Sequence, residues 1–182
     1  MPLPNPYLPG TAFGLPASCM VHRLANIATD KLRCGENCRI DAFVTITGDV
    51  TLDDCVHIGT GAIILGGGGL VQIGTGTSIS PGAKIFSATE AVDAPLTSNP
   101  QCQERAFKSG AVHIGSFCVI GAGSVVLPRA IIIDEAVVGA LSLVPFGRTL
   151  GFGGVFAGIP VRFIKPRQVV NRLKSLLTRP SA

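Results

Sequence analysis

Aliphatic side chains recur every six residues along most of this chain. One series runs Ile40, Ile46, Leu52, Ile58 and Ile64, a second Ile73, Ile79 and Ile85, and a third Ile114, Ile120, Val126, Ile132, Val138 and Val144. Two places before the next aliphatic stands a small residue in most repeats, among them Val44, Val56, Ala62, Ala83, Cys118, Ser124, Ala136 and Ser142. The position after the aliphatic often carries Gly or Asp, as at Asp41, Asp53, Gly59, Gly74, Gly115, Gly121 and Gly139, which suits a turn. A period of six is neither the 3.6 of a helix nor the plain 2 of a strand, so it predicts a short strand followed by a corner. Within the strand the alternation of two sends the aliphatic and the small residue inward together. Three such sides close a triangular coil of about eighteen residues, and coils stack at about 4.8 Å with their backbones in parallel ladders. The expected fold is all-β, a parallel β-helix of about five coils.

Two breaks in phase mark departures from the prism. Gly66 to Gly69 fall in the widened step from Ile64 to Ile73, which predicts a remodelled corner, and residues 87–110 must leave the prism as a projecting loop before Ile114. After Val144 the hexad series stops. Gly147 to Gly158 reads as a glycine-rich connector, and Gln168 to Leu177 as an α-helix with Val169, Val170, Leu173, Leu176 and Leu177 on one face. The expected organisation is a Pro-rich arm and cap over 1–34, the β-helix over 35–148, and a connector with a basic amphipathic helix over 149–182.

With 47% hydrophobic and 14% charged residues in 182, the chain can bury a core and is not a disordered polyelectrolyte. The absence of tryptophan fits a narrow interior. From Cys55 to Ala83 no charged residue occurs, yet glycines interrupt the stretch and its apolar positions are periodic, unlike a membrane span. The N-terminus lacks a basic start followed by an apolar segment, so the expected location is the cytoplasm, with the six cysteines as reduced thiols. Cys34 and Cys38 are four apart without evident further ligands, and Cys38 takes an inward position, so both read as packing and no metal is expected. A net charge of +4 is too small for a nucleic-acid binder. The positive charge is nevertheless gathered: no acidic residue follows Glu135, whereas Arg148, Arg162, Lys165, Arg167, Arg172, Lys174 and Arg179 do. That suits an anionic ligand, and the basic helix could also rest on an anionic membrane surface.

The hexads, the loop position, GAGSVVLP (121–128), AVVGALSLV (136–144), AGIPVRFIKPR (157–167), the Val56-His57-Ile58 segment and the loop stretch FSATEAVDAPLTSNP (86–100) resemble the left-handed β-helix acyltransferases. They are similar above all to sugar O-acetyltransferases of bacterial surface-polysaccharide synthesis and to galactoside and maltose O-acetyltransferases. The resemblance implies a homotrimer, acetyl-CoA as co-substrate along the groove between neighbouring prisms, and direct attack of a sugar hydroxyl assisted by a general base. The alternatives are N-acetylation of a nucleotide-linked amino sugar and a non-catalytic scaffold.

A base for this chemistry needs a group that titrates near neutrality, which makes His57 and His113 the candidates, both outward before an inward aliphatic. If Ile58, Ile73 and Ile114 share one column, the two histidines stand two coils apart. The loop lacks the histidine of the galactoside-type enzymes, so Glu90 is the third catalytic candidate, with Asp93 and Asn99 as acceptor contacts. Coenzyme A contacts carried over from the resemblance are Gly121, Ala122, Ser124, Gly139, Ala140, Ser142, Ala157, Gly158, Arg162 and Lys165, with Arg148 in place of the family's lysine after the last repeat. Arg129 and Ile133 stand where the family has corner glycines, which predicts a reshaped corner there.

Overall fold

The computed structural model describes residues 5–91 and 107–168. They form a parallel β-solenoid with three faces. The first face stacks Met20–His22, Arg39–Ile40, His57–Ile58, Ser78–Ile79, Val119–Ile120, Val137–Val138 and Gly154–Ala157, all parallel. The second carries Asn26–Ala28, the starts of the long strands Thr45–Leu52 and Ile63–Ile73, then Lys84–Phe86, Val125–Val126 and Leu143–Val144. The third carries Leu32–Cys34, the ends of the same long strands, then Val112–Ile114, Ile131–Ile132 and Thr149–Leu150.

All fourteen aliphatics of the hexad series point inward, each 2% exposed or less. They stack on their equivalents in the coils above and below, for example Ile40, Ile58, Ile79, Ile120 and Val138 on the first face. Corners follow from the same repeat. The third residue after the aliphatic turns with positive φ at Phe43, Cys55, Gly61, Gly76, Gly82, Phe117, Gly123, Arg129, Glu135, Leu141 and Gly147. A left-handed residue costs roughly 1–2 kcal/mol without glycine, so non-glycine corners depend on the ladder around them. Arg129 and Glu135 adopt this regular conformation, so the corners around Arg129 and Ile133 keep the standard turn and are not reshaped. Arg129 Nε also donates to the Ser109 carbonyl at 2.9 Å, bracing the loop stem.

The prism has about six coils, one more than the hexad count predicts. It begins at Met20, inside the segment expected to be an arm, because Val21, Ile27 and Leu32 start the three faces. It continues beyond Val144 through Leu150, fully buried, and Phe156, 6% exposed, so Gly147 to Gly158 is coil rather than connector. Arg148 hid this continuation: it occupies the small inward slot but is exposed, because no further rung lies below it on the second face. Both ends of the first face are closed by reversed strands, Tyr7–Pro9 against Met20–His22 and Arg162–Pro166 against Gly154–Ala157, which cover edges otherwise open to pairing. Gln168 is not helical, and the rest of the expected C-terminal helix lies outside the described residues. Among the described residues no helix is long and apolar enough to cross a membrane.

The phase breaks meet at one edge, between the second and third faces. Thr45–Leu52 and Ile63–Ile73 cross it without the usual turn, paired Gly48 to Gly66 and then Val50 to Val71, so the extra residues 67–70 bulge outward. One coil on, the projecting loop leaves through an antiparallel stem, Ala88–Glu90 against Phe107–Ser109. Ser87 itself stays buried in the prism, its hydroxyl donating to the Leu65 carbonyl and accepting from the Gly68 N–H, both at 2.9 Å.

Candidate active site

The structure gives His57 a carboxylate partner that its own segment does not announce. Arg39 and His57 are neighbours in register on the first face, and Asp41 follows Ile40 where most corners have glycine. His57 Nε2 lies 2.9 Å from Asp41 Oδ2, while Asp41 Oδ1 accepts from Arg39 Nε at 2.7 Å and from the Tyr7 hydroxyl at 2.6 Å. Arg39 Nη2 in turn donates to the Tyr7 oxygen at 2.7 Å. Asp41 is buried, 8% exposed, and His57 is half-buried. Burial alone pushes the Asp41 carboxyl up, but the hydrogen bonds from Tyr7, His57 and Arg39 together outweigh it and hold the group below its ordinary value. Tyr7 moves up, chiefly because its proton is held by Asp41. An ionised Asp41 therefore fixes the imidazole through Nε2 and leaves Nδ1 for a reacting group, the arrangement of an oriented base.

Below His57 along the same edge of the prism lie the segments carried over as coenzyme contacts. Gly121-Ala122, Gly139-Ala140 and Ala157-Gly158 stack in successive coils where the first face turns into the second. A Cβ at Gly121 would come 2.5 Å from the Ala140 nitrogen, and one at Gly139 would come 3.0 Å from the Ala157 Cβ. Ala122 and Ala140 are exposed, so at these positions the edge is low, with the exposed Leu141 side chain standing beside it. Ser124 and Ser142 do not face it: both are buried, and their hydroxyls donate to the carbonyls of Gly139 at 2.8 Å and Ala140 at 3.3 Å. Their oxygens accept from the N–H groups of Ser142 and Gly158. They hold coils together. At the C-terminal end of the prism, under the second face, Arg148 and Arg162 both line a cleft of about 250 Å³ with Pro145, Pro160 and Val161. Lys165 is exposed on the strand that carries Arg162, whereas Arg167 donates to the carbonyls of Phe117 at 2.6 Å and Glu135 at 3.0 Å.

The other catalytic candidates stand elsewhere. His113 is exposed on the third face, between Gln72 and Ile131 in register, and lines a cleft of about 360 Å³ with Asp53 and Asp134. The condition for His57 and His113 standing two coils apart in one column is not met, because the insertion after Gly66 widens a corner without skipping a face, leaving Ile58 on the first face and Ile73 and Ile114 on the third. Glu90 is exposed in the loop stem at the remaining edge. Within one chain His57, His113 and Glu90 do not converge. Asp93 and Asn99 lie outside the described residues. Asp41 and Tyr7 are the members that sequence reasoning missed; an acid in a glycine slot, one rung before an outward histidine, was the available signal.

No profile of a known protein family matches the chain. A dTDP-4-amino-4,6-dideoxy-D-glucose acyltransferase of Escherichia coli is 36% identical over 120 residues, a match spanning 63% of this chain and 62% of that enzyme. A variant of AntD, an N-acyltransferase from Bacillus cereus solved in complex with dTDP and coenzyme A, shares the fold with a TM-score of 0.82 at 25% identity, over 95% of this chain and 98% of that one. The chain resembles acyltransferases of this kind in sequence, spans about three fifths of the length of the curated relative it matches, and shares the AntD fold. A more distant structure with this acyltransferase fold is a variant of perosamine N-acetyltransferase from Caulobacter crescentus, solved with CoA and GDP-perosamine, with a TM-score of 0.60 at 20% identity over 80% of this chain and 56% of that one. All three relatives are named for amino-sugar or N-acyl transfer, and none for O-acetylation of a polysaccharide.

Proposed function

We propose that this protein transfers an acyl group from coenzyme A to the amine of a nucleotide-linked amino sugar, a dTDP-linked 4-amino-4,6-dideoxyhexose being the first acceptor to try. The observation that carries this reading is that the His57–Asp41 pair and the low glycine and alanine stack share one edge of the prism, with the Arg148–Arg162 cleft at the C-terminal end beside it. The two arginines suit the phosphates of coenzyme A, and the glycine and alanine positions let an extended pantetheine arm lie close to the backbone, with Leu141 as an apolar flank. The amine acceptors of the relatives favour this reading over the O-acetylation of a surface polysaccharide that the resemblance of the sequence implies.

In the proposed reaction the neutral amine attacks the thioester carbonyl, forming the C–N bond. His57 Nδ1 takes the proton released from nitrogen. The C–S bond breaks, and the imidazolium returns that proton to the departing thiolate. Asp41 holds His57 in one orientation through both proton transfers. His57 remains partly open in a single chain, and a homotrimer, in which a neighbouring prism covers the groove and brings its own loop, is part of the proposal. So is a cytoplasmic location, where acyl-CoA is available.

The test is the full chain incubated with acetyl-CoA or a hydroxyacyl-CoA and dTDP-4-amino-4,6-dideoxyglucose. Release of free thiol should match formation of an amide product of the expected mass, whereas thiol release with a sugar hydroxyl acceptor and none with any nucleotide amino sugar would refute the reading. Arg162→Ala is expected to raise KM for acyl-CoA about tenfold, as the loss of a charge-assisted phosphate contact should, with kcat little changed. An acyl-pantetheine donor, which lacks the nucleotide phosphates, should not distinguish the variant from the parent; if it does, Arg162 acts through the fold.

A further inference from the structure

At the opposite end of the prism Cys19 converges on Cys34 and Cys38, which are four residues apart. Cys19 and Cys38 occupy successive rungs of the inward column at the edge between the third and first faces, the Met20 N–H donating to the Cys38 carbonyl at 2.9 Å. Cys34 ends the third-face strand of the first coil. The three Sγ atoms lie within 4.8 Å of one another, and Cys19 and Cys34 are 3.8 Å apart. Zinc–sulfur bonds of about 2.3 Å in tetrahedral geometry set sulfurs about 3.8 Å apart, so one pair already has the required spacing and the others need shifts of about 1 Å at most. All five cysteines among the described residues are free thiols.

The surroundings fit a bound cation. Cys19 and Cys38 are 1% exposed, whereas Cys34 is half-buried and lines an open cleft of about 370 Å³ with Asp53 and Asp54, which gives a cation an entry path and an anionic approach. The rest of the inward column supplies a comparison inside the molecule. Lower down it holds Val56, Thr77, Cys118 and Ala136, and Cys118, buried like Cys38, has no second thiol in an adjoining rung. Among the described residues clustered thiols are thus confined to the N-terminal cap, where the stack ends and lacks a further coil to hold it.

We propose that Cys19, Cys34 and Cys38 form a three-thiolate zinc site, with the fourth position open toward the cleft, that ties the N-terminal cap to the first two coils. The expectation that Cys34 and Cys38 serve packing alone lacked the third ligand, which only the fold brings in. Binding replaces three S–H protons by three S–Zn bonds, and the protons pass to solvent. A cation held this way stabilises the folded cap, since the three ligands gather only in the folded chain.

The test uses the full chain, reduced and treated with chelator, titrated with Co²⁺ and then Zn²⁺. One Co²⁺ per chain should give thiolate-to-cobalt charge-transfer bands and the intense visible bands of a four-coordinate ion, and Zn²⁺ should abolish them. Cys34→Ser should weaken Co²⁺ binding at least tenfold, whereas Cys55→Ser, at an exposed thiol, should leave it as it is. Should a serine variant fail to fold, alkylation of the unmodified protein decides: Zn²⁺ should protect Cys34 and leave Cys55 reactive. Absence of the cobalt–thiolate bands in folded, reduced protein, or equal alkylation of Cys34 with and without Zn²⁺, overturns the proposal.

Discussion

His57→Ala is expected to lower kcat by about 10²-fold to 10⁴-fold, the usual contribution of a positioned general base, while binding of acyl-CoA stays close to that of the parent. The reason is geometric. His57 shares its edge of the prism with the glycine and alanine stack, and its ring is held by Asp41 at 2.9 Å. His113→Ala, on the third face, should leave kcat nearly unchanged; a reversed ranking of the two variants would move the base to that face. Asp41→Asn should cause a smaller loss than His57→Ala, and the double variant should fall no further than His57→Ala alone, because Asp41 acts through the imidazole.

The same carboxylate has a pH signature. Its folded-state pKa is depressed, so its contribution to stability is present above the ordinary aspartate range and disappears as pH falls through the lower, folded value. The parent should therefore lose stability relative to Asp41→Asn as pH is lowered from about 5 toward 2, and unfolding midpoints across that range measure it. A difference that does not vary with pH would mean that Asp41 is not ionised in the folded protein.

The largest stability effect is expected from Gly48→Val. Gly48 has φ of +73°, and a Cβ there would lie 2.3 Å from the Gly66 carbonyl carbon and 2.6 Å from the Gly67 nitrogen. Those are backbone atoms of the next coil, which cannot swing aside as the end of a side chain can. Left-handed strain and overpacking together amount to about 3 kcal/mol or more, enough to shift the denaturant midpoint strongly. Gly67→Ala is the contrast: its φ is ordinary, and a Cβ meets nothing within 4 Å, so the change should stay within about 0.5 kcal/mol. Equal midpoints for the two variants would show that the close crossing of Thr45–Leu52 and Ile63–Ile73 does not hold in solution.

Much of the architecture was legible because burial in a narrow prism is a local matter. Each hexad needs its own aliphatic pointing inward, and a strand's alternation decides that residue by residue. The reading failed where the filler changed character: at Arg148, whose side chain leaves an end coil, and at Phe156, an aromatic in a slot otherwise held by aliphatics. The candidate site was less legible. His57 was identified from its segment, but Asp41 lies a coil earlier, and Ser124 and Ser142, carried over as coenzyme contacts, turn inward to serve main-chain groups.

The amino-acid sequence alone determined the three-sided coil, its inward column of aliphatics and the departure of the loop. Only the tertiary structure decided which residues of different coils meet: Asp41 with His57, Arg148 with Arg162, and Cys19 with Cys34 and Cys38. The physical reason is that a repeat specifies inside and outside within one turn, whereas contacts between turns depend on accumulated phase. The residues inserted between Gly66 and Val71 reset that phase by widening one corner, and no property of an isolated hexad records on which face the following histidine will emerge.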